Sequence, residues 1–211
     1  HIHYLENQGL HDGIPVFHPR LLDVRHGCIQ LPVVDLDQDG DTDFVAVISQ
    51  EHETVIAFLN RGDGTFRQQV IFAADNPSFG SSGVDLVDLD QDGDTDLIFT
   101  NGDMFDLFYV VPYHAVHWME NLGSKGWKHH RLLQLPGVHR AEAGDLDGDG
   151  DLDLVACTLV TDRAIGEMKE SHFDSLVWLE QVKSGEFIRH NMEKDNSTHA
   201  TLELADFDND G

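Results

Sequence analysis

A nine-residue pattern, Asp-x-Asp-x-Asp-Gly-x-x-Asp, constrains this chain more than any other feature. It occurs in full as Asp35-Leu36-Asp37-Gln38-Asp39-Gly40-Asp41-Thr42-Asp43, as Asp88-Leu89-Asp90-Gln91-Asp92-Gly93-Asp94-Thr95-Asp96, and as Asp145-Leu146-Asp147-Gly148-Asp149-Gly150-Asp151-Leu152-Asp153. A fourth begins at Asp206-Phe207-Asp208-Asn209-Asp210-Gly211. Five aspartates in nine residues repel: two unit charges about 4 Å apart cost several kcal/mol at an effective dielectric near 20. A loop that gathers them needs a counter-charge, and calcium takes six to eight oxygen ligands in flexible geometry. Positions 1, 3 and 5 offer carboxylates, and glycine at position 6 permits the sharp turn because it tolerates positive φ. Position 7 (Asp41, Asp94, Asp151) gives its backbone carbonyl, and position 9 (Asp43, Asp96, Asp153) closes the shell. In the fourth loop Asp206, Asp208 and Asp210 take the first three ligand positions.

The same opening begins an EF-hand, but an EF-hand requires glutamate at position 12 and flanking helices. Position 12 here is Ala46, Phe99 or Ala156. The residues that follow each loop, Phe44 to Ile48, Leu97 to Thr100 and Leu154 to Cys157, are short apolar runs that read as buried strands. Each loop is therefore expected to join two strands.

The net charge is −26, and eighteen of the 39 acidic residues lie in the four loops. Three calcium ions would offset only six of those charges. Such a surface argues against nucleic acid and anionic membranes as partners. No apolar run is long enough to cross a membrane as a helix. Cytosolic free calcium is too low to fill sites of modest affinity, so stacked sites suit an extracellular, periplasmic or cell-surface protein. The two cysteines, Cys28 and Cys157, fall in different repeats and read as small buried hydrophobes rather than a disulfide.

The loops start at 35, 88, 145 and 206, spaced by 53, 57 and 61 residues, and periods of this order mark propellers or arrays. A second marker keeps the period: Tyr4-Leu5-Glu6-Asn7-Gln8-Gly9, Phe58-Leu59-Asn60, Trp118-Met119-Glu120-Asn121-Leu122-Gly123 and Trp178-Leu179-Glu180-Gln181. One unit thus reads strand A, aspartate loop, strand B, connection, strand C, Asn-Gly turn, strand D. The expected units are residues 29–73, 83–135 and 139–191, preceded by the end of another at 1–22 and followed by the start of another at 199–211. The fold expected is all-β: a β-propeller of four-stranded antiparallel blades, of which this is a fragment.

The acidic loop followed by a β-run, together with the Trp-x-Glu-Asn-x-Gly marker, resembles the FG-GAP / VCBS repeat family, including secreted VCBS proteins of planctomycete type. The resemblance implies an integrin-α-like propeller with calcium in the A–B hairpins. The first unit departs from it, having Phe58-Leu59-Asn60 without the Trp-Glu pair.

In a four-stranded meander the B–C and D–A connections share the face opposite the aspartate loops. From the end of the loop to the marker Asn or Gln, the units span 17, 25 and 28 residues, so the second and third carry extra segments at 101–114 and 161–174. Loops on rigid scaffolds carry function, and Asp103, Tyr113, His114, His139 and Arg140 are the candidate ligand-binding residues there. Tyr4, Trp118 and Trp178 are expected to be inter-blade core, and His129, His130 and His190 to satisfy backbone groups. The expected function is binding of a protein or glycan partner outside the cytoplasm, with calcium structural and no catalytic residues assigned. Two rivals are the scaffold of a carbohydrate-active lyase or hydrolase, and a module that docks a cytochrome.

Overall fold

The computed structural model describes residues 1–105, 109, 111–167 and 172–207 of the chain. Fifteen strands are present among them. β1 (Ile2–His11) and β2 (Ile14–Asp23) form a hairpin. A first sheet follows, from β3 (Cys28–Gln30), β4 (Val33–Val34), β5 (Asp43–Ile48), β6 (Thr54–Asn60) and β7 (Phe66–Ala73). β3 and β4 are one edge strand interrupted near Pro32, which has no N–H to donate; both pair with β5. The second sheet holds β8 (Gly83–Val87), β9 (Asp96–Thr100), β10 (Ala115–Asn121) and β11 (Trp127–Gln134). The third holds β12 (Val138–Gly144), β13 (Asp153–Thr158), β14 (Asp174–Lys183) and β15 (Glu186–Lys194). Every pairing is antiparallel between sequence neighbours, so each sheet is a meander, and the architecture is all-β with four-stranded sheets. The one α-helix among the described residues is short, α1 (Asp162–Glu167).

The three aspartate loops enter β5, β9 and β13, the second strand of each sheet. These strands are buried along nearly their whole length, as their unbroken apolar runs require when both faces are covered. Alternate residues serve opposite neighbours, because successive strand side chains point to opposite faces. Ala46 and Ile48 pack back on Ile2 and Leu22 of the hairpin. Val45 and Val47 pack forward on Leu97, Phe99 and Met119 of the second sheet. Ile98, Val116 and Trp118 of that sheet in turn meet Leu154, Ala156, Val177 and Leu179 of the third. The sheets therefore stack in sequence order around shared cores, and each fully buried Leu, Ile or Phe contributes roughly 1.5–3 kcal/mol.

The first strands of the three sheets lie side by side, with β12 packed on β8 and β9. Arg140 on β12 reaches past Gly83 to donate to Gln30 Oε1 at 2.6 Å, and the same oxygen accepts the Val84 N–H at 2.8 Å. One guanidinium thus ties all three sheets. The two extra segments also meet: Met104 from the first packs with Ala164 and Phe173 of the second and with Val160 just before it. Cys28 and Cys157 are free thiols, and burial pushes Cys157 up to about 11.

Candidate metal centre

Each complete aspartate loop is drawn into a compact turn by its own carboxylates. Asp35 accepts the Gly40 N–H at 3.0 Å, Asp88 accepts the N–H groups of Asp92 and Gly93 at 3.0 and 2.9 Å, and Asp145 accepts those of Gly148 and Gly150 at 2.8 and 3.1 Å. Gly40, Gly93 and Gly150 sit at φ +93°, +98° and +96°, the left-handed region the motif's position 6 requires. Position 4 is left-handed too, at Gln38 (φ +59°) and Gln91 (φ +57°), a conformation L side chains rarely adopt.

The carboxylates converge. Ligand oxygens of Asp35, Asp37 and Asp39 lie within 4.8 Å of one another, as do those of Asp88, Asp90 and Asp96, and of Asp145, Asp147 and Asp149. Burial and the neighbouring acids raise Asp37, Asp90 and Asp147 above the ordinary carboxylate range. Asp96 is pushed up to about 6, chiefly by burial. Asp90 Oδ1 is buried with no donor at all. The donor set is hard oxygen throughout, and a buried carboxylate oxygen without a protein donor suits a cation, so these residues fit calcium.

The position-9 aspartates have a structural duty in every loop. Asp43 accepts the N–H groups of Leu36 and Asn60 at 2.9 and 2.6 Å; Asp96 accepts those of Leu89 and Asn121 at 3.2 and 2.7 Å; Asp153 accepts those of Leu146 and Gln181 at 3.2 and 2.8 Å. Each carboxylate thereby clamps the loop to the end of the third strand. The marker Asn or Gln answers in the other direction. Asn60, Asn121 and Gln181 donate to the carbonyls of Thr42, Thr95 and Leu152 at 3.2, 3.1 and 3.0 Å. Loop and strand turn therefore share one face in each sheet. The position-7 aspartates lean the other way: Asp41 and Asp94 lie over Gly62 and Gly123 of those turns.

Adjacent loops are linked as well. Gln38 donates to Gly93 O at 2.6 Å, and Gln91 to Gly150 O at 2.7 Å. Neither link is visible in a single copy of the motif; the signal was glutamine at position 4 of two successive loops.

The five ligand candidates of the opposite face are spread out. His114 is fully buried; its Nδ1 accepts the Gly137 N–H at 3.2 Å, and burial lowers it to about 4. Tyr113 donates its hydroxyl to Ser78 O at 3.0 Å and stacks on Phe79. Asp103 accepts the Phe105 N–H at 2.9 Å and lines a depression of about 480 Å³ beside Gln50 and Glu51. His139 Nδ1 meets Ala200 O at 2.8 Å, while its chain neighbour Arg140 lines a separate depression between the first strands. Asp208 and Asp210 of the fourth loop lie outside the described residues. Asn101, which the sequence did not single out, organises this face: fully buried, it donates to Phe79 O and Tyr113 O and accepts from Ala115 N–H and His117.

Of the marker aromatics, Trp118 is buried, Trp178 half-buried and Tyr4 39% exposed. His130 and His190 do not serve backbone groups. They stack on Trp118 and Trp178 at 4.5 Å and pair with Glu120 and Glu180. A carboxylate one strand away is the stronger partner for an imidazole N–H.

This arrangement defines an all-β repeat protein whose unit is a four-stranded meander with an acidic A–B loop. The sequence profile of FG-GAP-like repeats matches residues 35–99 and 100–156, more than half of the chain, and the chain belongs to that family. No curated protein matches it. Among solved structures it is similar to an Agrocybe aegerita lectin described as specifically recognising non-reducing terminal N-acetylglucosamine, with TM-score 0.50 and 15% identity. That match covers 84% of this chain and 44% of the lectin chain, so this chain spans less than half of that structure. At this identity the likeness speaks to fold.

Proposed function

We propose that the chain is part of a calcium-stabilised β-propeller that acts outside the cytoplasm as a binding module for a protein or a glycan. The observation that carries this reading is the threefold repetition of converging aspartates, with Asp90 Oδ1 buried and unpartnered. Asp35, Asp37, Asp39 and Asp43 would hold the first ion, Asp88, Asp90, Asp92 and Asp96 the second, and Asp145, Asp147, Asp149 and Asp153 the third. The ion supplies charge neutralisation, not chemistry on a substrate. The chain's own residues then fix the A–B hairpin against the turn of the third and fourth strands.

Closure into a propeller is supported by what the two flanks leave open. The hairpin exposes Leu10 (73%) and Ile14 (68%), and the third sheet exposes Ile188 and Met192 around Trp178. A further sheet on each side would cover both. The lectin's recognition of a sugar favours a glycan among the partners. The five candidates of the opposite face do not share one pocket, which ranks binding above a lyase or hydrolase. Equilibrium dialysis followed by metal analysis tests the proposal: about three calcium ions per chain with magnesium excluded is the expected result, and fewer than one would overturn it.

A further inference from the structure

Strand register locates what the first unit lacks. Three residues before the markers Asn60, Asn121 and Gln181 stand Ala57, Trp118 and Trp178. Their cross-strand partners are Gln69, His130 and His190. In the hairpin the same place holds Tyr4 opposite Arg20, whose guanidinium lies 5.2 Å from the ring centroid. Tyr4 leans forward onto Phe66 of the first sheet, and Trp118 leans forward onto the turn at Gly185 of the third. Each is an aromatic with a stacked partner, filling the seam to the next unit. At the seam between the first and second sheets that filler is Ala57 with Gln69.

Beside this pair, with Gln69 in its wall, is a cleft of about 470 Å³ on the aspartate-loop face, within the range of ligand pockets. It lies between loop one (Leu36, Asp37), the fourth strand of the first sheet (Arg67, Gln69) and the turn that leads into Trp127. The seam has not sprung apart to make it. Gln38 holds loops one and two together just as Gln91 holds loops two and three. A loop-to-loop glutamine bond thus spans both seams, while the filler at the first is smaller.

We propose that this cleft binds a neutral saccharide unit; the proposal rests on the binding-module reading above and names its site. Leu36 and Leu59, both buried, form an apolar floor, and half-buried Trp127 offers a ring for the apolar face of a sugar. Arg67 and Gln69 donate, and Asp94 accepts, which suits hydroxyls that do both. The chain's net charge of −26 disfavours an anionic ligand.

The test titrates the whole calcium-loaded chain with neutral oligosaccharides built from glucose, galactose, mannose and N-acetylhexosamines, reading tryptophan fluorescence and calorimetry. At least one should bind and shift the Trp127 signal. Ala57→Trp should abolish binding while calcium still raises the melting midpoint, and the exposed substitution Arg67→Ala should weaken it at least tenfold. If calcium stabilises the chain and none of these sugars binds, the cleft proposal fails while the scaffold reading stands. Binding that survives in both variants, or that only a peptide with an aromatic side chain achieves, overturns it as well. If calcium does not stabilise the chain, the scaffold reading fails instead, and sugar binding lost with Arg67 would keep the cleft.

Discussion

The two faces of this molecule are built by different rules. On the aspartate-loop face the same atoms meet in the same way three times: a position-9 carboxylate takes two backbone N–H groups, and a marker amide returns a bond to the position-8 carbonyl. On the opposite face each connection is solved once. Buried Glu53 holds the N–H groups of Gln50 and Ser81 in the first unit, whereas Asn101 and His114 knit the second, and α1 covers the third. Repetition on one face and improvisation on the other separate what sustains the repeat from what distinguishes its copies.

Substitutions can break this contrast. The largest single-residue effect is expected at position 9. Asp96→Ala strips the acceptors from two buried N–H groups and should cost about 3–5 kcal/mol in a chemical melt. Asp94→Asn, one turn of the same loop away and directed at Gly123, should cost under about 1 kcal/mol; equal losses would show that the loop is an undifferentiated acidic turn.

Next comes acid on the opposite face. His114 and His117 are lowered to about 4 and about 3, first by burial and for His117 also by His129 and Arg131. Their unfolded forms take up a proton near 6.5 while the folded forms do not. Stability is therefore complete above about pH 6.5 and is lost as pH falls toward 4, on the order of 2–3 kcal/mol for each histidine. A His117→Leu variant should flatten that limb when melts are taken from pH 7 to 4, and an unchanged slope would contradict it. In the calcium-free chain, where burial pushes Asp96 up to about 6, its protonation acts in the opposite sense and is common to both proteins.

A smaller effect is expected at Gln38. Its alanine variant loses the inter-loop bonds to Gly93 O and Asp94 Oδ1, together about 1 kcal/mol at this exposed site, and should loosen the first seam without changing calcium stoichiometry. The smallest is Asp103→Asn, within about 0.5 kcal/mol, because the amide oxygen can still accept the Phe105 N–H.

Much of the aspartate-loop face was legible in the sequence because it is periodic. The loops, the runs after them and the marker turns recur every 53 to 61 residues, and β5, β9 and β13 begin where the ninth aspartate stands. The pairings between units were not legible. Nothing local says that Gln38 reaches Gly93 or that Arg140 reaches Gln30, 110 residues away. The missing tryptophan was visible, but the marker in the first unit was matched at Phe58; register against β7 moves the vacancy to Ala57 and turns a departure into a cleft. The opposite face resisted because its residues were chosen by chemical type, and His114 and Tyr113 spend their polar atoms on backbone partners that only the tertiary path supplies.

The central claim is that calcium in the aspartate loops holds this fold together. The most direct test is a thermal melt of the chain in excess EGTA, then in millimolar calcium, with magnesium as the control. Binding to the folded state alone stabilises by mass action, so the midpoint should rise by many degrees with calcium and keep rising with its concentration, and magnesium should do little. A midpoint that is the same in EGTA and in calcium, on protein that metal analysis shows to be calcium-free, would contradict the account.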